Sequence, residues 1–444
     1  MVKRSLKFKV VAVCAVLVLP YFVAHLLLSG RNVKVIKAVS RNLDGVGRVE
    51  RSKPMLLSDV HVNAAMGGRS TAAGSATSAS FASAKHLHDQ LSNDTRNGEP
   101  EVPLKKILFW NKIKKSSYYG FGAGREPFIR AGCRVNACTI TRNRSLFTHD
   151  QLDAVVWHAR SKDLSLPTER SPHTRFVFMM MEPPGHMHTP LWRLRNVFNW
   201  TLTYRHDADI TMLIGRVLER KLKSTNPRPI NYAAGKSKMA AWFVSNCNTD
   251  SSRSRLTQTL QQYISVEVFG KCGPFQCPRS HSADCYSLLE RDYKFYLSFE
   301  NSLCKDYVTE KFFKILLYNV VPVVYGKANY SIAAPPHSYI NVLDFASVKD
   351  LAQYLLYLDG NDTAYNEYFW WKPYYDVLAV NPSKILAWCD LCERLHKDDV
   401  PKVYSDVHDW YTKQATCKKA KYQPLLKAFL NGESINTLNR SVFL

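Results

Sequence analysis

The sequence predicts an α/β fold whose strands run parallel in two consecutive groups. Short apolar runs such as KILFW (106–110) and RFVFMMM (175–181) alternate with longer amphipathic stretches. Continuous apolar strands are typical of parallel sheets that are covered on both faces. A charged, Pro-containing segment, 215–238, separates the two groups and is interpreted as the connection between two Rossmann-like halves. Such halves would face each other across a cleft, since ligands bind at the carboxyl ends of parallel strands.

The other predicted strands share this apolar character. They are 152–159 in the first half and, in the second, 242–246, 265–270, 295–301, 320–326 and 339–345. Two helices are predicted in the second half. The first spans 309–317, and the second spans 347–358, where Ser347 is a cap and Asp350 stands three residues on.

The composition excludes several classes of protein. The 444 residues are 46% hydrophobic and 12% aromatic, which argues against disorder over most of the chain. The net charge of +23 indicates an anionic partner, either nucleic acid, phospholipid or a phosphorylated small molecule. The residues after Pro100 carry only +15 of this net charge, because they include 46 basic and 31 acidic side chains. Dispersed, solvated Lys and Arg account for most of this excess.

The amino terminus predicts a transmembrane signal-anchor at residues 10–28. This run of nineteen residues is apolar except for Pro20 and His25, and it has the length needed to cross a bilayer. Residues 1–9 carry four basic side chains and no acid, so they form a cytosolic tail and the rest of the chain crosses the membrane. A cleavable signal peptide is the alternative. A chain on the lumenal side does not meet nucleic acid.

Residues 29–101 predict a disordered stem. They contain no Cys, Trp or Tyr, and the stretch GGRSTAAGSATSASFASA (67–84) cannot build a core. The folded part then divides into a first Rossmann-like domain at 102–225, a second at 226–400 and a carboxy-terminal extension at 401–444.

The cysteines and sequons agree with a lumenal chain. Ten of the eleven cysteines lie beyond the stem, an even number that predicts disulfides without fixing their pairing. A zinc site is the alternative, but no Cys pair is matched by a repeated CxxC partner. Six Asn residues begin N-x-Ser/Thr sequons and are candidate glycosylation sites. They are Asn93, Asn143, Asn199, Asn329, Asn361 and Asn439.

The densest functional signal is FYLSFENSLCKDYVTEKFF (295–313), in which a strand leads through a loop into a helix. Thr309 is a good N-cap, and Lys311 beside the helix start suits a diphosphate. Glu310 is placed to accept hydrogen bonds from ribose hydroxyls, and Tyr307 to lie along a sugar or phosphate. Each residue alone also fits an ordinary role as a cap, a solvated charge or a packing side chain.

Taken together, SFENSLCKDYVTEKFF resembles the signature of the α1,3-fucosyltransferases, glycosyltransferase family 10, of the invertebrate Golgi type. FNWTLTYRHDADI (198–210) and WFVSNCN with RSRL (242–256) resemble further family segments in the same order. The resemblance implies a GT-B fold, a GDP-fucose donor and an inverting mechanism, with residues 226–400 as the donor-binding domain and residues 102–225 as the acceptor-side domain. It places Asn301, Tyr307, Glu310 and Lys311 on the donor, with the pyrophosphate arginine at Arg253 or, alternatively, Arg255.

An inverting transfer also needs a base that removes the proton of the attacking hydroxyl. Glu182 fits because it follows the strand RFVFMMM and would emerge at the cleft edge; its alternative is a structural acid at a strand end. The family has E-S-P followed by H-T-P here. In this chain Pro183 replaces the Ser and the stretch to Thr189 is longer.

No cofactor is expected to be required, although a divalent cation is allowed as a stimulant. Asp207 and Asp209 resemble the metal-binding D-x-D of another glycosyltransferase architecture, but they fall in the family segment YRHDADI, and structural hydrogen bonding is the preferred interpretation. Arg253 and Lys311 would neutralise the leaving GDP instead of a metal ion.

The sequence thus predicts a single-pass type II Golgi membrane enzyme that transfers L-fucose to a GlcNAc hydroxyl of a glycoprotein glycan. Its expected partners are GDP-fucose, the acceptor glycan and the membrane. Two alternatives stay open, a catalytically silent lumenal glycan-binding protein and a fucosyltransferase that acts directly on protein residues. The choice among antennary GlcNAc, the chitobiose core and other acceptors also stays open.

Overall fold

The computed structural model describes residues 102–111, 118–187, 189–221 and 230–435. The predicted tail, anchor and stem, residues 1–9, 10–28 and 29–101, lie outside this part of the chain. Within it, no helix combines the length and the apolar character needed to cross a membrane.

Two parallel sheets organise the described residues, and a short antiparallel pair stands beside them. The first sheet has six strands in the order β2-β1-β3-β4-β5-β6, and the second has five in the order β12-β11-β10-β8-β9. Strands β7 and β13 form the antiparallel pair. The strands are β1 Lys105–Phe109, β2 Cys138–Thr141, β3 Ala154–His158, β4 Arg175–Met180, β5 Trp200–Thr203, β6 Ile210–Thr211, β7 Gly215–Glu219, β8 Lys238–Phe243, β9 Val266–Phe269, β10 Tyr293–Phe299, β11 Val321–Tyr325, β12 Ile340–Asn341 and β13 Tyr375–Ala379.

Helices connect these strands and cover the sheets. The α-helices of the described residues are α1 Glu126–Arg130, α2 Arg253–Leu260, α3 Ser282–Asp292, α4 Glu310–Phe313, α5 Val348–Asp359, α6 Asp362–Asn366, α7 Asn381–Lys397 and α8 Pro424–Leu430. A 3₁₀ turn, Ile315–Leu317, extends α4, and a π-helical turn, Asp409–Lys413, follows α7.

The α/β class with parallel sheets is confirmed, and all eight predicted strands overlap an observed one. Ser347 caps α5, because its Oγ accepts from the backbone N–H of Asp350 at 3.1 Å. The helix predicted over 309–317 is shorter than expected, since α4 ends at Phe313. The segment 215–238 is not a plain connection, because it begins as β7, which pairs with β13.

The apolar pattern misses a strand that contains buried threonines. In β5, Thr201 and Thr203 have no exposed surface, so the strand is buried although half of its residues are polar. The Thr201 hydroxyl and backbone N–H both bond a carboxylate oxygen of Asp209, at 3.0 and 2.9 Å. A threonine with a satisfied hydroxyl can occupy a core position, but it interrupts the apolar run that marks a strand.

The end of the chain packs on both sheets in turn. Trp388 and Leu391 of α7, and Tyr411 after it, are buried in the core of the first sheet. Leu426 and Phe429 of α8 are buried in the core of the second. By packing, α7 therefore belongs with the first sheet, whereas the sequence places residues 226–400 in one donor-binding domain.

The ten cysteines beyond the stem form five disulfides, which confirms the predicted disulfides and supplies their pairing. Two of them join α7 to the start of the first sheet: Cys133–Cys389 and Cys138–Cys392. Two more lie beside the second sheet, Cys247–Cys272 and Cys277–Cys285, and the fifth, Cys304–Cys417, joins the loop after β10 to the chain end and packs with the core of the first sheet. The crosslinks to α7 hold the returning helix against strands that precede it by about 250 residues.

Replacing Cys304 and Cys417 together by Ala should destabilise the fold more than replacing Cys277 and Cys285. The first pair closes 113 residues and the second closes 8, whereas each crosslink to α7 is backed by the other, which closes the same span. The entropy of the unfolded chain then predicts a difference of roughly 2 kcal/mol in the free energy of unfolding. Urea unfolding followed by tryptophan fluorescence measures both variants. Equal losses would contradict an entropic role for the longer crosslink.

Candidate active site

The site is built around the carboxyl end of β10. Glu300 follows the strand and has no exposed surface. Its carboxylate accepts hydrogen bonds from the Thr309 backbone N–H at 2.8 Å and from the Thr309 hydroxyl at 2.9 Å. Thr309 is the N-cap of α4, so the buried carboxylate fixes where this helix begins.

Lys311 lies in the first turn of α4 among acceptors. Its Nζ is 2.7 Å from Thr309 Oγ1 and 3.2 Å from carboxylate oxygens of both Glu300 and Glu310. Burial alone would lower the pKa of Lys311, but these two carboxylates outweigh burial and raise it above the ordinary lysine value. The ammonium is therefore charged at neutral pH.

Glu310 is the more open of the two carboxylates beside Lys311. Its side chain is 51% exposed, whereas that of Glu300 is fully enclosed. Desolvation opposes ionisation of Glu310, but the Lys311 ammonium and local hydrogen bonds outweigh it and lower the pKa of Glu310. An ionised and accessible acceptor thus stands next to a cation.

Arg253 enters the site from the start of α2. It is only 4% exposed, and its guanidinium donates to the backbone oxygens of Phe299 and Asn246 at 2.8 and 3.1 Å. Its buried Nε has no hydrogen-bond partner among the described residues. Arg255 is exposed and donates from Nε to Asn431 at 3.2 Å, away from this cluster.

Asn301 and Tyr307 complete the group predicted from the motif. The buried Oδ1 of Asn301 has no partner in the part of the chain that the structure describes. Tyr307 is 3% exposed and packs edge-on against Tyr204, with ring centroids 5.1 Å apart. Burial raises the pKa of Tyr307 well above its ordinary value, so its hydroxyl stays neutral.

Glu182 lies just after β4 and is the predicted site residue that the first half of the molecule contributes. Its carboxylate is 2.8 Å from the Arg160 guanidinium and 3.5 Å from His186 Nδ1, and its backbone oxygen accepts from the Tyr411 hydroxyl. The hydrogen bond from His186, together with the Arg160 charge, outweighs burial and lowers the pKa of Glu182. Its side chain is 36% exposed, so Glu182 is an ionised and accessible carboxylate.

The loop after Glu182 touches the second half of the molecule. His186 Nδ1 lies 3.4 Å from Asn301 Nδ2, which joins the end of β4 to the end of β10. A Cβ at Gly185 would approach the Asp250 carboxylate to 2.8 Å, so a larger residue here would require the Asp250 side chain to shift. A polar cavity of about 370 Å³ opens beside these residues, with Thr249 and Lys421 also in its wall.

Three residues near the site, Arg160, Tyr119 and Lys384, belong to no motif that the sequence marks. The Tyr119 hydroxyl is 2.5 Å from His158 Nε2. Because His158 Nδ1 accepts from the Arg160 backbone N–H, its Nε2 carries the proton and donates to Tyr119. Burial, aided by Arg160, lowers the pKa of His158 to about 3, so the ring stays neutral.

The third is Lys384, in the first turn of α7. Its Nζ lies 5.3 Å from the centroid of the Tyr119 ring. Burial lowers the pKa of Lys384, while the carboxylates of Glu310 and Glu182 act in the opposite direction. Lys384 thus lies close enough to interact electrostatically with both carboxylates, and the return of the chain end places it there.

Two family models match most of the described chain. The model described as fucosyltransferase, N-terminal, matches residues 103–215, and the model described as glycosyltransferase family 10 (fucosyltransferase) C-term matches residues 233–410. The chain belongs to glycosyltransferase family 10. The family predicted from the motif is therefore confirmed.

Relatives in insects and nematodes agree with this family. The chain is 37% identical over 324 residues to glycoprotein 3-alpha-L-fucosyltransferase A of Drosophila melanogaster, a match that covers 71% of this chain and 61% of that relative. It is 38% identical to alpha-(1,3)-fucosyltransferase C of the same organism, over 69% of this chain and 77% of that relative. A Caenorhabditis elegans alpha-(1,3)-fucosyltransferase is 36% identical over 72% of each chain.

A solved alpha1,3-fucosyltransferase with GDP-fucose is similar to this chain with a TM-score of 0.45 and 18% sequence identity. The match covers 71% of this chain and 97% of that chain.

The acidic pair in the family 10 segment YRHDADI is engaged in local contacts. Asp207 receives two hydrogen bonds from Arg205, at 2.8 and 2.6 Å, and lies 3.1 Å from Lys305. Asp209 is 3% exposed; besides its contacts with β5 it accepts from Lys402 at 2.5 Å and Tyr404 at 2.8 Å. These contacts tie β5 and β6 to the chain end.

The sequons differ in the use of their Asn side chains. Asn143 is exposed and accepts from the Ser145 backbone, which leaves its Nδ2 open. Asn329 and Asn361 are N-caps of a 3₁₀ turn and of α6. Asn199 is half-buried, and its Nδ2, the atom that carries an N-linked glycan, donates to the Lys402 oxygen at 2.9 Å. Asn93 and Asn439 lie outside the described residues.

Glycopeptide mapping of the secreted, folded chain should find glycan on Asn143 and none on Asn199. The Asn199 Oδ1 also accepts from the Phe176 N–H at 2.7 Å and from Arg170 at 2.5 Å, which fixes the amide with its Nδ2 against the Lys402 oxygen, so a glycan on Nδ2 would have to displace that contact. Asn143 serves as the internal control, since it lies in the same half of the molecule. A glycan on Asn199 of the folded protein would contradict the prediction.

Proposed function

We propose that this chain transfers L-fucose from GDP-β-L-fucose to a GlcNAc hydroxyl of a glycoprotein glycan, with inversion, forming an α1,3 linkage. The observation that carries the proposal is the meeting of an ionised carboxylate after β4 with two cations at the end of β10. Glu182 is the carboxylate, and Arg253 and Lys311 are the cations. The names of the insect relatives support the same donor sugar and linkage.

The two parallel sheets support a GT-B arrangement for this enzyme. In that arrangement the second sheet binds the nucleotide sugar and the first supplies the base and the acceptor side. Arg253 is preferred over Arg255 for the pyrophosphate, because Arg253 is buried behind the end of β10 and Arg255 faces outward. Asn301, Tyr307 and Glu310 are the remaining donor contacts in this proposal.

The reaction then follows from charge and position. The acceptor hydroxyl oxygen attacks the anomeric carbon, the bond from that carbon to the phosphate oxygen breaks, and its electron pair leaves with GDP. The carboxylate of Glu182 takes the hydroxyl proton. Arg253 and Lys311 stabilise the charge that develops on the diphosphate, which is why we propose no required metal ion.

We also propose that the enzyme is a single-pass type II protein of the Golgi membrane with its catalytic part in the lumen. Five disulfides support an oxidising compartment. The apolar run 10–28 with basic residues before it supports the anchor and its direction.

The full-length chain should release GDP from GDP-fucose only when a GlcNAc-containing acceptor is present, and Glu182→Gln should reduce this rate by about 10²–10⁴-fold. The amide cannot take a proton, while it leaves the contacts of Lys311 and Arg253 in place. Because the pKa of Glu182 is lowered, the base stays ionised below the ordinary glutamate range, and the wild-type rate should fall only as the pH drops through that lowered pKa.

Glu169→Gln is the matched control, because this carboxylate is 79% exposed and contacts His149. It should transfer at the wild-type rate, and calorimetry should give both variants the wild-type GDP affinity. Mass spectrometry of antennary, chitobiose-core and peptide acceptors identifies the product. Undiminished transfer by Glu182→Gln would remove Glu182 from the mechanism, and transfer to peptide alone would overturn the proposed acceptor class.

Lys311→Ala and Arg253→Lys should each weaken GDP binding by roughly 10- to 100-fold, since each removes a charge-assisted contact of about 1.5–3 kcal/mol. Arg255→Ala is the control, two residues from Arg253 but exposed. Isothermal titration calorimetry measures all three affinities. A loss with Arg255→Ala that matches the loss with Arg253→Lys would overturn the assignment of the pyrophosphate arginine.

A further inference from the structure

Glu300 is the one acid of the ENS motif, and the structure buries it behind the site. The resemblance places this motif along the donor pocket, yet the Glu300 side chain has no exposed surface. A side chain at Gly326 would approach Glu300 Cγ to 3.6 Å and the Tyr330 hydroxyl to 2.5 Å, so the wall behind the carboxylate is tightly packed. Glu300 therefore cannot touch a substrate that enters from solvent.

A chain of contacts leads from Glu300 to the cation that can. The Thr309 hydroxyl donates to Glu300 at 2.9 Å, and the same oxygen accepts from Lys311 Nζ at 2.7 Å. The direct distance from Nζ to Glu300 Oε2 is 3.2 Å. Both links are made by atoms whose positions are fixed, since Thr309 is the N-cap of α4 and is 1% exposed.

The other charges around Lys311 do not fix it in this way. Glu310 belongs to the same helix, but its side chain is half-exposed. Arg253 of α2 faces Lys311 with a like charge, and Glu182 of the loop after β4 acts from farther away. Of these charged neighbours of Lys311 among the described residues, Glu300 is the one that both attracts the ammonium and is itself fully buried.

We propose that Glu300 is a positioning residue for the transfer reaction: it holds the Lys311 ammonium charged and aimed into the site without touching either substrate. The inference rests on the proposed function, in which Lys311 binds the diphosphate. It gives a reason for a buried carboxylate close to a site that receives an anion, where its own charge would otherwise oppose binding. Without Glu300, the repulsion from Arg253 would act on Lys311 with less to offset it.

Glu300→Gln tests this role, because it keeps the shape of the side chain and removes its charge. GDP affinity measured by calorimetry from pH 7 to about 11, beyond the ordinary lysine pKa, reports the protonation of Lys311 without requiring turnover. A lysine that loses its counter-charge has a lower pKa, so the alkaline loss of GDP affinity should begin about one pH unit lower than in the wild type. Lys384 also carries a lowered pKa, but it does not contact Glu300 and titrates alike in both proteins.

Glu267→Gln is the matched control. Glu267 pairs with Lys238 at 3.0 Å on the far edge of the same sheet, so its loss removes a carboxylate–lysine pair without affecting the site. It should leave the pH dependence unchanged. Glu300→Asp, which keeps the charge one methylene shorter, should recover the wild-type pH dependence at least in part.

An unchanged alkaline limb in folded Glu300→Gln would overturn the proposal. If that variant does not fold, Thr309→Val removes the hydroxyl between the two charges, and it should shift the limb in the same direction; no shift there would overturn the proposal as well. Failure of the proposed function looks different, because wild-type protein would then show no fucose transfer whatever the pH dependence of GDP binding.

Discussion

The site exists because the end of the chain returns to the first sheet. Parallel strands of two separate sheets supply Glu182 and Glu300, and nothing in either sheet alone brings those strand ends together. Helix α7 packs Trp388 into the first core and is crosslinked there by two disulfides. The following turn places the Tyr411 hydroxyl on the backbone oxygen of Glu182. The loop that carries the proposed base is thus held by a residue 229 positions later in sequence.

Charge balance is the second constraint. Glu182, Glu300 and Glu310 stand close to Arg160, Arg253, Lys311 and Lys384, and each shifted pKa in this group reflects a contest between burial and an opposite charge. Desolvation favours the neutral form, and a nearby counter-charge favours the ionised one. In Glu182, Glu310 and Lys311 the counter-charge wins, whereas burial wins in Glu300, whose pKa is raised, and in Lys384, whose pKa is lowered. Glu182, Glu310 and Lys311 are therefore ionised before a substrate arrives, and in the proposed reaction little reorganisation is needed when charge develops on the leaving diphosphate.

The sequence predicts what is local and continuous. The apolar runs locate eight strands, and the contiguous motif brings Asn301, Tyr307, Glu310 and Lys311 into one region. The sequence cannot predict that Lys384 belongs to the site, because this residue reaches the site only where α7 crosses back to the first sheet. The same holds for the contact between Tyr119 and His158, which are 39 residues apart. The preference for Arg253 over Arg255 becomes a structural distinction once helix α2 turns one side chain inward and the other outward.

The buried pair of Glu300 and Lys311 is better explained by chemistry than by stability. Taking two charges out of water costs several kcal/mol per ion, and well-packed apolar residues of similar volume often stabilise a core as much or more. A fold that needed only a stable end for β10 would gain nothing from a carboxylate there. A site that must present a fixed ammonium to a diphosphate does need one, because a lysine side chain has a flexible four-carbon stem. A partner behind it fixes that stem, and the Thr309 hydroxyl between the two charges satisfies both without displacing either.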